Sequence, residues 1–292
     1  MHADEVDTDE SLVRRLLAAQ FPHWAELAIS RVPSAGTDNA LYRLGRDKVV
    51  RLPRRPGSVA SAEKEREWLP VLAPHLPVTV PVPLATGIAG EGFPWSWSVY
   101  PWLEGTHPNA TSDLKRLATD LAAFVTALQH IDPERGPRPG RHNFFRGVRL
   151  ERREEWTRKA IDALGDSIDR REVTAAWDAA LAVPVSDSRA WLHGDLKAEN
   201  LLVEGGRLGA VIDFGALGVG DPAVELIIAW DLLSPVRETY RAALGVDDAT
   251  WARGRGWALS VALVALPYYR DTNPVIAAQA RHAIAEVLGD RV

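Results

Sequence analysis

One interval of the chain leaves few folds open to it: His193-Gly194-Asp195-Leu196-Lys197-Ala198-Glu199-Asn200, and then Ile212-Asp213-Phe214-Gly215. Asn200 follows Asp195 by five residues and Asp213 follows it by eighteen. Between them Leu201-Leu202-Val203 reads as a strand, Gly205-Gly206 as a tight turn and Leu208 to Ile212 as the returning strand. Such a hairpin carries Asp213 back beside Asn200. Taken singly, an Asp after Gly is a turn residue, an Asn before a strand is a cap, and D-F-G arises by chance. Order and spacing together say more. Two carboxylates and an amide on loop ends call for a cation, and this oxygen set suits a hard ion such as Mg²⁺, which keeps waters to exchange for phosphate.

The same three residues fill, in order, the parts of a phosphoryl-transfer site. An Asp receives the proton of the attacking hydroxyl, an Asn after it helps hold the metal, and the Asp of D-F-G binds Mg²⁺ on the phosphates. Asp195 is the expected catalytic residue, with Asn200 and Asp213 the expected metal ligands. The H-G-D-L-x-x-x-N run, with Gly194 where protein kinases usually carry Arg, resembles the aminoglycoside phosphotransferase family. The resemblance spans nearly the whole chain and implies an α+β, bilobal protein-kinase-like fold. A small antiparallel-sheet lobe over residues 1–103 would end in the hinge, and a mainly helical lobe over 104–292 would hold the catalytic loop and the acceptor. It further implies transfer of the γ-phosphoryl of ATP or GTP to a hydroxyl of a small molecule, an aminoglycoside-type antibiotic first among the choices.

With 292 residues, 46% of them hydrophobic and 25% charged, the chain can bury a large core. No apolar run is long enough to span a bilayer, and Met1 to Glu10 is acidic where a secretory leader would be basic and then apolar. A cytoplasmic enzyme without a membrane partner is expected. The absence of cysteine excludes disulfides, zinc-thiolate sites and thiol nucleophiles. A net charge of −5 disfavours nucleic acid as a partner and mildly favours a cationic acceptor through long-range steering.

In the first third, apolar residues at 12, 13, 16 and 17 predict a helix over Ser11 to Ala19, stopped at Phe21-Pro22. Arg31 to Leu44 and Lys48 to Leu52 read as a hairpin about Gly45-Arg46-Asp47. Ser34 to Ala40 is a faint phosphate loop, with a plain turn equally open. The resemblance makes Gly36, Thr37 and Asn39 nucleotide-contact candidates, with backbone N–H groups as donors. Strand alternation puts Val49 and Arg51 on one face, so Arg51 takes the place of the usual phosphate-pairing Lys, with a solvated edge-strand Arg as the alternative. Ser61 to Leu72 is helical. Glu65 shares the face of Leu69 and Leu72 and is the expected partner of Arg51, while Glu63 and Glu67 lie off that stripe.

Pro70 to Pro83 reads as an extended connection and Trp95 to Leu103 as a strand running into the hinge Val99 to Gly105. Tyr100 and Trp102 are candidates to frame the base, with simple core packing as the alternative. Leucines and Phe124 step through 114–128 as a core helix. Asp132 to Arg146, rich in Pro, Gly and Arg, reads as a solvated loop, with a lid as the other option. Further helices are expected over 148–164, 169–182 and 224–233. Lys197, two residues after Asp195, is a candidate to reach the γ-phosphate by its likeness to the lysine of serine/threonine kinases; His193 is expected to brace the loop backbone, and Asp221 to cap the helix after Gly220-Asp221-Pro222-Ala223 or hold the catalytic loop.

That short passage from Gly215 lacks the activation segment and A-P-E of protein kinases, which argues against a protein substrate. For an aminoglycoside, Glu225, Asp231, Glu238 and Asp271 are the carboxylates available to face its amines. Kinases of other small alcohols (a macrolide, an amino-sugar or choline-like metabolite) and an inactive nucleotide-binding module are the rivals. Resistance or metabolism, oligomeric state and the donor base stay open.

Overall fold

The computed structural model describes residues 6–33 and 39–290. Gly36 and Thr37 lie outside the described residues. Helix α1, Glu10–Gln20, is capped by the Asp9 carboxylate, which accepts from Leu12 N at 2.7 Å. It buries Leu12, Val13, Leu16 and Leu17 against a five-stranded sheet. The strands are β1 (Ile29–Arg31), β2 (Asn39–Leu44), β3 (Lys48–Pro53), β4 (Ala85–Gly87) and β5 (Trp97–Pro101), all antiparallel in the order β1-β2-β3-β5-β4. Arg51 on β3 is therefore on the middle strand, with β2 on one side and β5 on the other. The expected long strand from Arg31 is two separate strands, and the strand to Leu103 stops at Pro101.

Helix α2, Pro56–Leu72, starts five residues before the expected Ser61 because Pro56 at its first position has no N–H to waste and a preset φ. It also runs through Pro70, read as the start of an extended connection. Proline so near the helix end interrupts little, and a short 3-10 turn, Ala73–His75, follows before the chain extends. One end of α2 faces the small sheet through Glu65; Leu69 and Leu72 at the other end join the large core.

The rest is mainly helical: α3 (Leu114–Gln129), α4 (Glu154–Leu164), α5 (Arg170–Leu181), α6 (Arg237–Leu244), α7 (Asp248–Tyr269) and α8 (Pro274–Gly289). The predicted helix over 224–233 is a 3-10 run, Pro222–Trp230. It is opened by Asp221, whose carboxylate accepts from Ala223 N at 3.0 Å and pairs with the buried Arg253 at 2.9 Å. Two small ribbons pack into the larger helical cluster through Trp191, Leu201, Val211 and Val219: β6 (Ala190–Leu192) with β9 (Gly218–Gly220), and β7 (Leu201–Glu204) with β8 (Arg207–Val211). The β7–β8 ribbon is the hairpin expected from the sequence. Its free edges are both taken. Thr79 N donates to Gly209 O and Val211 N to Thr79 O, both at 3.0 Å, while Thr106 and Val203 exchange bonds at 3.0 and 2.8 Å.

Two buried clusters result, one between α1 and the sheet and a larger one among the helices.

Candidate active site

The loop that leaves β6 is braced at every step. His193 is fully buried; its Nε2–H donates to Ile212 O at 3.0 Å and its Nδ1 accepts from Asp195 N at 3.2 Å, which fixes a neutral tautomer. Burial, the dominant influence, holds its pKa down. Gly194 takes φ +80° and donates its N–H to Glu225 Oε1 at 2.7 Å. Asn200 ends a 3-10 turn, Ala198–Asn200. Its Nδ2 donates to Asp195 O at 2.8 Å and to Asp195 Oδ2 at 3.3 Å, and its own carbonyl accepts from Ile212 N at 2.9 Å. The hairpin thus returns Asp213 to Asn200. Asp213 has a left-handed φ of 62° that aims its carboxylate out of the ribbon, and its side chain is 53% exposed.

Asp195 faces two cations, Lys197 Nζ at 2.9 Å and Arg146 Nη2 at 3.9 Å. Burial pushes its pKa up, but Lys197 and Arg146 together outweigh that and hold it below the usual carboxylate range. Arg51 closes the cleft from above. Its Nη1 lies 2.5 Å from Glu65 Oε2 and its Nη2 3.7 Å from Asp213 Oδ1. With the Asn39 amide turned so that its oxygen faces the guanidinium, it accepts from Arg51 Nη2 at 3.0 Å and Nε at 3.1 Å. Burial disfavours the charge, yet Glu65, Tyr100 and Asp213 raise the Arg51 pKa above its ordinary value. Glu65 is buried, while Glu63 and Glu67 are exposed, as the helical stripe predicts.

The hinge departs from expectation at Tyr100. It is 2% exposed and its hydroxyl lies 3.4 Å from Glu65 Oε2, so it supports the ion pair and offers no open ring face to a base. Trp102 keeps its place at the crossing: its N–H donates to Asp47 O at 2.8 Å, and the Arg43 guanidinium covers one face of its ring at 3.9 Å.

Three residues escaped the sequence reading. Lys64, next to Glu65, is 8% exposed and donates to Gly215 O at 2.8 Å, His142 O at 3.2 Å and His142 Nδ1 at 3.1 Å. Burial lowers its pKa to about 8, against the pull of Glu65. Asn143 and Arg146 come from the segment read as a solvated loop, and that reading is corrected. Asn143 is fully buried, accepting from Gly140 N at 2.9 Å and donating to Arg146 O at 3.0 Å, which delivers Arg146 to Asp195. An Asn among Gly, Pro and Arg residues carries no periodic signal, so local pattern could not find it.

The four expected acceptor carboxylates do not gather. Glu225 is buried beneath Gly194, Glu238 on α6 is exposed, and exposed Asp271 pairs with Arg270 at 3.3 Å. Asp231 alone lies within the field of Lys197, along with Glu199 and His282.

The residues that could hold a divalent cation are Asp213 and, through its amide oxygen, Asn200. Among the described residues no group of three or more His, Cys, Asp or Glu could hold a metal by itself. Two oxygen donors beside an open cleft fit Mg²⁺, which takes one or two protein ligands and completes its shell with phosphate and water.

This fold and cleft define a kinase-like phosphotransferase, and the chain belongs to the Phosphotransferase enzyme family, whose profile matches residues 30–257. Among solved structures, the GDP complex of wild-type aminoglycoside 2'-phosphotransferase-IIIa aligns over 97% of this chain and 99% of its own, at 18% identity and a TM-score of 0.78. The GDP and kanamycin complex of APH(2")-IIIa covers 96% and 99%, at 18% identity and a TM-score of 0.75. Macrolide 2'-phosphotransferase MphH from Brachybacterium faecium covers 97% and 99%, at 24% identity and a TM-score of 0.64. At these identities the likeness is one of fold. No curated protein matches the sequence.

Proposed function

We propose that the chain transfers the γ-phosphoryl group of a nucleoside triphosphate, ATP or GTP, to a hydroxyl of a small molecule in a Mg²⁺-dependent reaction. The observation that carries this reading is the meeting of Asp195, Asn200, Asp213 and Arg51 in one cleft from three separate segments, the loop after β6, the end of β8 and strand β3. In the assignment, residues up to 103 bind the nucleotide and those from 104 carry the catalytic loop. The base sits at the hinge beside Trp102. Arg51, held by Glu65 and Asn39, grips the phosphates as a fork, with Gly36 and Thr37 proposed alongside. Asn200 and Asp213 hold the metal, which offsets charge on the phosphate oxygens.

Asp195 accepts a hydrogen bond from the acceptor hydroxyl and aims its oxygen at the γ-phosphorus. The new P–O bond forms, the bond to the β,γ-bridging oxygen breaks with its electron pair, and the hydroxyl proton passes to Asp195. A carboxylate held acidic by Lys197 and Arg146 is a weak base at rest, so its main work is orientation, in keeping with a loose transition state in which the proton leaves late. Lys197 is 43% exposed on the same carboxylate and can turn to the transferred group.

Several neighbours in fold are aminoglycoside phosphotransferases. The aminoglycoside reading for this chain draws support from Asp231 and Glu199 alone, since Glu225 is buried and Asp271 is paired elsewhere. Nucleoside diphosphate release from ATP and from GTP, with Mg²⁺ and with EDTA, across aminoglycosides, macrolides and small alcohols, tests the reaction. Acceptor- and Mg²⁺-dependent release that Asp195→Asn removes is expected. Nucleotide binding without turnover on every acceptor, carboxylate- and phosphate-bearing alcohols included, would overturn the reading in favour of an inactive module.

A further inference from the structure

Arg146, which reaches Asp195, also lines the wall of a cavity of about 510 Å³ between the 141–156 segment and α7. The wall is aromatic and cationic: Phe144, Phe145, Trp156, Tyr268 and Tyr269 with Arg141, Arg146 and Arg153, and no carboxylate. Phe144, Trp156, Val264 and Tyr268, all on this wall, are four of the large apolar side chains left exposed among the described residues. Phe144 and Phe145 hold successive left-handed conformations, φ 55° and 57°. That strain in bulky residues persists only where surroundings enforce it, and it collects at ligand sites.

Arg153 is the decisive residue. It is 5% exposed, its Nε donates to Ser260 Oγ at 2.8 Å, and its guanidinium lies 5.0 Å from the Trp257 ring. Among the described residues no carboxylate pairs with it, and none pairs with Arg141. A buried guanidinium without a counter-charge is costly, and burial together with the nearby Arg146 charge lowers its pKa. The Nε of Arg146 is likewise buried without a partner. An anionic group entering the cavity relieves both.

We propose that this cavity is the acceptor site and that the acceptor is an alcohol on a flat apolar body bearing a carboxylate or phosphate, received by Arg153 and Arg141 while Arg146 spans the cavity and Asp195. A polycation meets three arginines here. The inference rests on the proposed phosphotransfer for the name of the site, and on the cavity wall for the chemistry of its occupant.

The test uses probes of one shape and different charge: para-(hydroxymethyl)benzoate, para-(hydroxymethyl)phenyl phosphate, the benzamide and the benzylamine. Binding is read by tryptophan fluorescence, to which Trp156 contributes, and turnover by diphosphate release. Both anionic probes are expected to bind about tenfold tighter than the amide, and the amine weakest. Preference for one anion over the other identifies carboxylate or phosphate as the native group. Arg153→Gln is expected to erase the preference with nucleotide binding retained, and Arg153→Lys to restore part of it; Arg141→Gln, at the exposed rim, serves if Arg153→Gln fails to fold. Equal or tighter binding of the amine, no binding of either anion, or an unchanged preference in these variants overturns the proposal. Anion-selective binding without turnover leaves it standing while the kinase reading fails; turnover on polycations without anion selectivity does the reverse.

Discussion

At Gly194 the backbone turns with φ +80°, and a methyl group built there would lie 2.6 Å from the carbonyl oxygen of Ala216. Side chains are therefore excluded twice over, by conformation and by contact. Gly194→Ala should lower stability by about 2 kcal/mol or more and depress turnover, checked by thermal denaturation beside a rate assay. Next to it, Asp195→Asn preserves size and the bond from Asn200, and should cost about 10²- to 10⁴-fold in kcat with nucleotide affinity kept; near-normal kcat would remove Asp195 from its role. These residues were legible because short-range spacing fixes them. Lys64, Asn143 and Arg146 were not, since each meets its partner across a distance in sequence that no local pattern reports.

Between elements, the pairing of β3 with α2 through Arg51 and Glu65 was readable from two periodicities, alternation on the strand and the 3.6-residue stripe on the helix. Where α2 begins was not readable, because proline breaks helices and also opens them. Glu65 is fully buried, so Glu65→Gln leaves a guanidinium with much of its countercharge gone and should destabilise the fold by about 3 kcal/mol. Arg51→Met with Glu65→Leu together should recover most of that in a urea titration yet leave the enzyme inactive. A double variant no more stable than Glu65→Gln would show the pair to be held by something other than charge balance. The 132–146 segment has the composition of a solvated loop, but one buried residue, Asn143, ties it down through Gly140 and Arg146.

For the whole molecule, Glu225 couples the catalytic loop to pH. Burial, ahead of the Asp195 charge and against the bond from Gly194 N, pushes its pKa up from about 4.5 to about 7. A carboxyl whose pKa rises on folding is easiest to bury when neutral. Its contribution is complete below about pH 4.5 and is lost as pH rises through about 7. Glu225→Gln, which stays neutral and can still accept from Gly194, should gain about 2 to 3 kcal/mol over the native chain across that window. Thermal melts between about pH 5 and pH 8 check it; parallel curves for the two proteins would refute it.

The chain passes between the two lobes at Thr79 and again at Thr106, and each passage is bonded to one edge of the same ribbon, the first to β8 and the second to β7. Two anchored crossings define an axis, as a pair of hinges defines how a door swings. A tilt of the small lobe about the line that joins them would change the gap between Arg51 and Asp213, which is 3.7 Å here. Cutting the chain at 103 would sever the second crossing and leave the first, bonded to β8 through Thr79, in place.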